Sequence, residues 1–189
     1  MHNDKIVIGL AGETGSGKDT VAHYLKRRYD VDLLRFSMPL KKTLNLFFEQ
    51  SSKEDQSWLY SKFKERFGED VLHRGVARYV EQHNGIMCVN GMRMMMDLKF
   101  IRSFEHNYVL YVTADQELRW KRVTSRGEKS DDNQTLKEFQ KFEAEAETEK
   151  NIPKIGAESD FIITNDGSMD DLLWQVDDAM KEILKKRCN

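Results

Sequence analysis

The chain has 189 residues, 39% of them hydrophobic, with 30 Lys and Arg against 32 Asp and Glu for a formal net charge of −2. That is enough apolar side chain for one core, so a single domain over 1–189 is expected. The near-neutral balance provides no field for holding a polyanion, which argues against a nucleic-acid binder, and no run approaches the roughly 18 apolar residues that a membrane span needs.

In chain order, "KIVIGLA" (5–11) is a short β-branched run ending in glycine and reads as a buried strand. After Lys18, Val21, Ala22, Leu25 and Tyr29 recur at helical spacing. "VDLLRF" (31–36) is a second strand. From 38 to about 84 the pattern is helical, with charge between Leu44, Phe47, Phe48, Trp58, Phe63 and Phe67. "GIMCVN" (85–90) predicts a third strand, "MMMDLKFIRSF" a helix, "YVLYVT" (108–113) a fourth strand and "ELRWKRVTSR" a helix. "TLKEFQKFEAEAETEK" reads as one long charged helix, "DFIITN" (160–165) as the fifth strand and "SMDDLLWQVDDAMKEILKKR" as a closing amphipathic helix. Strands alternating with helices predict a parallel sheet covered on both faces.

The chemistry begins at "GETGSGKDT" (12–20). Gly12, Gly17 and Lys18 fit G-x-x-x-x-G-K, and the turn joins a strand to a helix, as that motif requires. The backbone of Thr14, Gly15, Ser16 and Gly17, with the helix N-terminus, would cradle phosphates, and Lys18 would reach the β- and γ-phosphates of a triphosphate. Asp19 stands where a hydroxyl residue is usual, and Thr20 follows one position late. Asp19 is therefore a candidate ligand of Mg²⁺, direct or through water, with Thr20 serving the α-phosphate. The alternative is a carboxylate that merely favours the helix N-terminus.

The N/T-K-x-D guanine motif of a small GTPase is absent, and a translocating ATPase normally has a longer chain. A small kinase needs an acceptor site, a lid with arginines and a loop for adenine. "RFSMPLKKTL" (35–44) offers Ser37 and Lys41 to an acceptor, or else Ser37 only caps a surface helix. "VNGMR" (89–93) ends the third strand, where ligands of open α/β sheets collect. Arg93 there could fork onto an acceptor phosphate, or be a surface arginine. Arg122 and Arg126 share a helix face before a polar loop, the make-up of a lid over about 122–136 or of a solvated basic face. "TNDGS" (164–168) could edge a base with Asn165 and Gly167, or be a turn followed by a Ser cap. The acidic run "EAEAETE" reads as a solvated helix face, and the methionines 92 and 94–96 as core filling. The five histidines show no metal-ligand spacing. Cys88 and Cys188 read as free thiols, and the first residues lack the basic region of a secretion signal, so the cytoplasm is the expected location.

These pieces resemble the P-loop nucleoside monophosphate kinase superfamily. "GxxGSGKDT" followed by "FSMPLK" is similar to deoxynucleoside monophosphate kinases and their dephospho-CoA kinase relatives. "VNGMR" resembles the D-G-x-x-R stretch of adenylate kinases, with Asn90 in place of the aspartate. From about 85 to 173 the chain is similar to an archaeal kinase family related to dephospho-CoA kinase, through "NGMR", "RWKR…SRG…DD..T..EF" and "SDFIITNDGS…L". The resemblance implies a five-stranded parallel core, a helical acceptor-binding insertion at about 38–84, a short lid, ATP as donor and Mg²⁺ as cofactor. It implies Arg122 beside adenine and phosphates, Arg126 on the transferring phosphate and Arg93 on the acceptor phosphate. Related lids carry a further arginine near the position of Phe142, for which Lys137 or Lys141 would substitute. The metal site is predicted with its charge moved, since Asp19 adds a carboxylate at one position and Asn90 removes one at the other. The expected activity is ATP-dependent phosphoryl transfer to a small phosphorylated acceptor, foremost a nucleoside or deoxynucleoside monophosphate. Dephospho-CoA kinase would need a carboxylate base near the second strand, for which Asp32 is the candidate, and a low-turnover nucleotide-binding switch is the third reading.

Overall fold

The computed structural model describes residues 5–126 and 134–187, the side chains at 53, 126 and 187 excepted. Five parallel strands form one sheet in the order β2-β3-β1-β4-β5. They are β1 (Ile6–Gly12), β2 (Asp32–Arg35), β3 (Ile86–Met92), β4 (Asn107–Thr113) and β5 (Phe161–Thr164). β1 is central and buried along its whole length, as its unbroken apolar run predicts.

α1 (Lys18–Tyr29) and α9 (Met169–Arg187) cover one face, where Ile6, Ile8 and Leu10 meet Val21, Leu25, Val176 and Met180. α4 (Val71–Gln82), α5 (Met95–Arg102) and α8 (Glu147–Ala157) cover the other, where Val7 and Ala11 meet Val76, Ile101, Ile152 and Ile155. α2 (Met38–Asn45) and α3 (Lys53–Phe67) precede α4 in the connection from β2 to β3. α6 (Gln116–Arg126) and α7 (Leu136–Glu145) flank the segment 127–133.

Two local departures from regularity shape the site. The β1–β3 register slips between Leu10 and Ala11, which pair with Asn90 and Met92. Gly91 is the extra residue, at φ +92, a backbone angle that glycine adopts without strain. The slip puts Met92 on the same face as Met87 and Val89, three positions after Val89 instead of two. Asn90 stays on the α1 side and reaches Asp19.

The second departure corrects the expectation of one long helix over 135–150. The chain turns extended at Ala146, with ψ 121, and starts α8 anew. Phe139 and Glu143 of α7 face α6, while Glu149, Ile152 and Ile155 of α8 face the sheet. Glu143 and Glu149 are six residues apart, so on one straight helix they would diverge by roughly 240°. The break turns both inward.

Candidate active site

The phosphate loop runs from the end of β1 to α1, as predicted. Gly17 caps α1 in a left-handed conformation without a side-chain cap bond, leaving first-turn N–H groups for an anion. Gly12 is buried, and Ser16 Oγ is buried without a partner. A cavity of about 490 Å³ opens over the loop, and Thr14, Gly15, Gly17, Lys18, Asp19, Thr20, Arg93 and Arg122 are in its wall. The loop, Arg93 and Arg122 are thus brought together from three parts of the chain.

Three cations, Lys18, Arg93 and Arg122, and two carboxylates, Glu13 and Asp19, are in this wall. Burial, followed by the cations of Arg93 and Arg35, pulls the Lys18 ammonium below the usual lysine value against the opposing influence of Asp19. Burial pushes the Asp19 carboxyl up, but Lys18, the Asn90 amide and Arg35 together outweigh it and hold the group below the usual carboxylate value. Asn90 Nδ2 donates to Asp19 Oδ1 at 2.8 Å and Arg35 Nη2 does so at 3.3 Å. The two residues assigned to the metal are therefore neighbours, 71 positions apart in sequence. Asn90 Oδ1 is buried with no partner, so a hard cation or its water would find an amide oxygen beside a carboxylate. Among the described residues no cluster of three His, Cys, Asp or Glu could hold a metal unaided. An ion here would be shared with phosphate oxygens, which suits Mg²⁺.

A second cavity, of about 250 Å³, adjoins the first and shares His23 with it. Ser37, Lys41, Arg35 and Asn90 line it above an aliphatic floor of Ala22, Leu33 and Leu34. Ser37 stands at the N-cap of α2 but makes no side-chain cap bond, so the capping alternative is not realised. Asp32 lies at the other end of β2, paired with Met87, away from this cavity.

Arg122 donates through Nη2 to the carbonyl of Asn165 at 2.8 Å, and its Nη1 is buried without a partner. Asn165 itself is turned into the protein. Its Nδ2 donates to the Ser16 carbonyl at 2.8 Å, so its side chain braces the phosphate loop. Gly167 precedes Ser168, which caps α9 reciprocally with Asp171, so the turn-and-cap reading holds there. The Arg126 side chain and residues 127–133 of the expected lid lie outside the described residues, as does Cys188. Cys88 is a buried free thiol, pushed by burial up to about 12. Lys141, one candidate for the missing lid arginine, approaches Glu145 of its own helix at 3.9 Å.

Four residues escaped the sequence reading. Glu13, inside the motif, is 9% exposed, accepts from Tyr111 and Thr113 at Oε1, and has no partner at Oε2. Burial and this bond push the Tyr111 hydroxyl up to about 12. Arg119 is buried, forks onto Glu143 and reaches the carbonyl of Thr14 at 3.3 Å. Glu149 is buried against Arg93. The acidic run is therefore not simply a solvated face: two of its carboxylates hold site arginines, while Glu145 is exposed. A carboxylate placed six residues from another in a helical run gives no sequence sign that both turn inward.

The five-stranded parallel sheet, covered on both faces and with the glycine-rich loop between β1 and α1, has the P-loop NTPase fold seen in shikimate kinases. No family model matches the chain. A UPF0200 protein of Methanocaldococcus jannaschii is 22% identical over a 189-residue alignment that covers 95% of this chain and 91% of the relative. Shikimate kinase from Bacteroides thetaiotaomicron superposes with a TM-score of 0.61 at 14% identity, covering 95% of this chain and 98% of that one. Shikimate kinase from Aquifex aeolicus gives 0.58 at 16% identity, covering 97% and 98%.

Proposed function

We propose that the chain is an ATP-dependent phosphotransferase whose acceptor is a small phosphorylated molecule, foremost a nucleoside or deoxynucleoside monophosphate. One observation carries the reading. The described residues contain six buried side-chain atoms without a hydrogen-bond partner, on Glu13, Ser16, His73, Asn90, Arg122 and Glu149. All lie in the phosphate loop, in a cavity wall, or within two hydrogen bonds of one. Buried polar groups are normally satisfied, so such a cluster marks where a polar ligand completes the structure.

Phosphoryl transfer needs positioning and charge neutralisation more than covalent chemistry. Loop N–H groups and Lys18 would grip the donor's β- and γ-phosphates, and Arg122 would add its unpaired N–H, with Arg126 completing the lid. Mg²⁺, held through Asp19 and Asn90 directly or by water, would neutralise charge between the phosphates. Arg93 would hold the acceptor phosphate, with Ser37 and Lys41 along the second cavity. Such an acceptor is already ionised at neutral pH and needs no base. Asp32 is at the wrong end of β2 to serve as one, which weighs against dephospho-CoA. Glu13 is the observation that favours a hydroxyl acceptor, so the test includes alcohols.

The test is thermal unfolding with Mg²⁺ and a non-hydrolysable ATP analogue, then with each nucleoside monophosphate, dephospho-CoA or shikimate added. A bound ligand stabilises by mass action, about 2.7 kcal/mol at a hundred times its Kd. A phosphorylated acceptor should add to the analogue's effect. A response to the analogue alone would indicate a switch, and an added response to shikimate would replace the phosphate acceptor with an alcohol.

A further inference from the structure

Among the described residues, Lys18, Arg93 and Arg122 are in the wall of the phosphate pocket and are not held alike. Lys18 faces Asp19 at 3.6 Å, and Arg122 is tied to a backbone carbonyl. Arg93 is fixed at both ends. Its backbone N–H donates to Asp97 Oδ2 at 2.8 Å, the same oxygen that accepts from Met94 at 2.9 Å. Its guanidinium donates through Nη1 to Glu149, which is 56 residues away and whose side chain is only 3% exposed. Asp97 is bonded in turn to His73 of α4 at 2.8 Å.

A buried carboxylate is costly, and an arginine 37% exposed does not need one to stay in water. The break at Ala146 exists in a helix that could otherwise continue, and its effect is to turn Glu149 onto Arg93. Arg93 offers five N–H donors, and the bond to Glu149 is made through Nη1 alone. The side chain is in the wall of the phosphate cavity.

We propose that Glu149 is a positioning residue: it clamps one arm of Arg93 so that the rest of the fork is set in advance for the acceptor's phosphate. This rests on the reading of Arg93 as the acceptor's ligand. An unclamped arginine would give up its rotamer freedom at each binding event, whereas a clamped one has done so on folding. Glu149 also offsets one of three neighbouring positive charges, so the pocket admits a phosphate without the cations driving one another apart.

The test uses the full chain saturated with Mg²⁺ and the non-hydrolysable ATP analogue, which fills the donor site including the γ-position. Inorganic phosphate is then titrated as the probe, with melting temperature and calorimetry as readouts. Glu149→Gln should weaken phosphate binding at least tenfold while the analogue binds within twofold of the parent. Arg93→Ala should weaken it at least as much. In the Arg93→Ala background, Glu149→Gln should add nothing, because the clamp then has nothing to hold. If the two effects multiply, or if Glu149→Gln leaves phosphate binding unchanged while Arg93→Ala abolishes it, the clamp is wrong and the acceptor assignment survives. If Arg93→Ala binds phosphate like the parent, the acceptor assignment fails and the clamp falls with it. Should Glu149→Gln not fold, Arg93→Lys decides: the ion pair can persist, but a point charge cannot serve carboxylate and phosphate together. Melting like the parent with phosphate binding down tenfold supports the clamp, and unchanged phosphate binding overturns it.

Discussion

Replacing Gly17 by alanine should damage the phosphate loop through two separable effects. Gly17 sits at φ +94, and a β-carbon there would lie 2.3 Å from Nδ2 of Asn165. The backbone strain for a non-glycine residue is about 1–2 kcal/mol. The overlap would also push Asn165 off the Ser16 carbonyl, and losing a buried hydrogen bond costs about 1–3 kcal/mol. Gly17→Ala should therefore lose about 2–5 kcal/mol in urea unfolding, with an unchanged m-value and weaker binding of the ATP analogue. Because the overlap is with one side chain, the effects should not add. Asn165→Ala in the Gly17→Ala background should cost at least about 1 kcal/mol less than in the parent. A Gly17→Ala loss under about 0.5 kcal/mol, or strict additivity with Asn165→Ala, would refute the contact and its strain.

Lys18→Ala should lower kcat about 10²–10³-fold with the melting temperature preserved, the scale for losing one preorganised donor; near-normal turnover would remove the loop from the mechanism. Arg122→Ala should cost about 2–4 kcal/mol of transition-state stabilisation, read from kcat/KM. It should also lower Tm by a few degrees, because the Asn165 carbonyl loses its partner. Asp19→Asn should shift the Mg²⁺ titration to higher concentration, with Asn90→Asp restoring part of the loss; an unchanged titration would leave Asp19 a helix-end residue. Asp19 is held below the usual carboxylate value. Its contribution is thus present above that value and lost as pH falls through the folded one, so Asp19→Asn should flatten the acid limb of a stability profile.

The order of strands and helices is legible because each strand has a short apolar run and each covering helix carries an apolar stripe. The phosphate loop was legible because glycine and lysine spacing is itself the geometry. What the sequence hid are partnerships between distant positions. Nothing local marks Glu13 as the acceptor for Tyr111, or Glu143 and Glu149 as partners of Arg119 and Arg93. The place of Asn165 after β5 suggests backbone groups offered to a nucleotide, but nothing local shows that its side-chain amide braces the loop backbone at Ser16, next to Gly17. The helix break at Ala146 was missed for a related reason: alanine is the best helix former, and only the burial required on two sides overrides it.

The slip at Gly91 has a consequence for how such a site changes over generations. Side chains alternate across a strand, so gain or loss of one residue exchanges the two faces beyond it unless a bulge absorbs the change. Losing the Gly91 codon would leave Met92 two positions after Val89, opposite Ala11 and in the cluster it already shares with Met87 and Val89. The core would therefore survive the deletion. What would go is the local bend that a bulge gives its strand, and with it the direction in which the chain carries Arg93 towards Glu149. Descendants that bind nucleotide but have lost transfer should therefore be sought among length variants at this position.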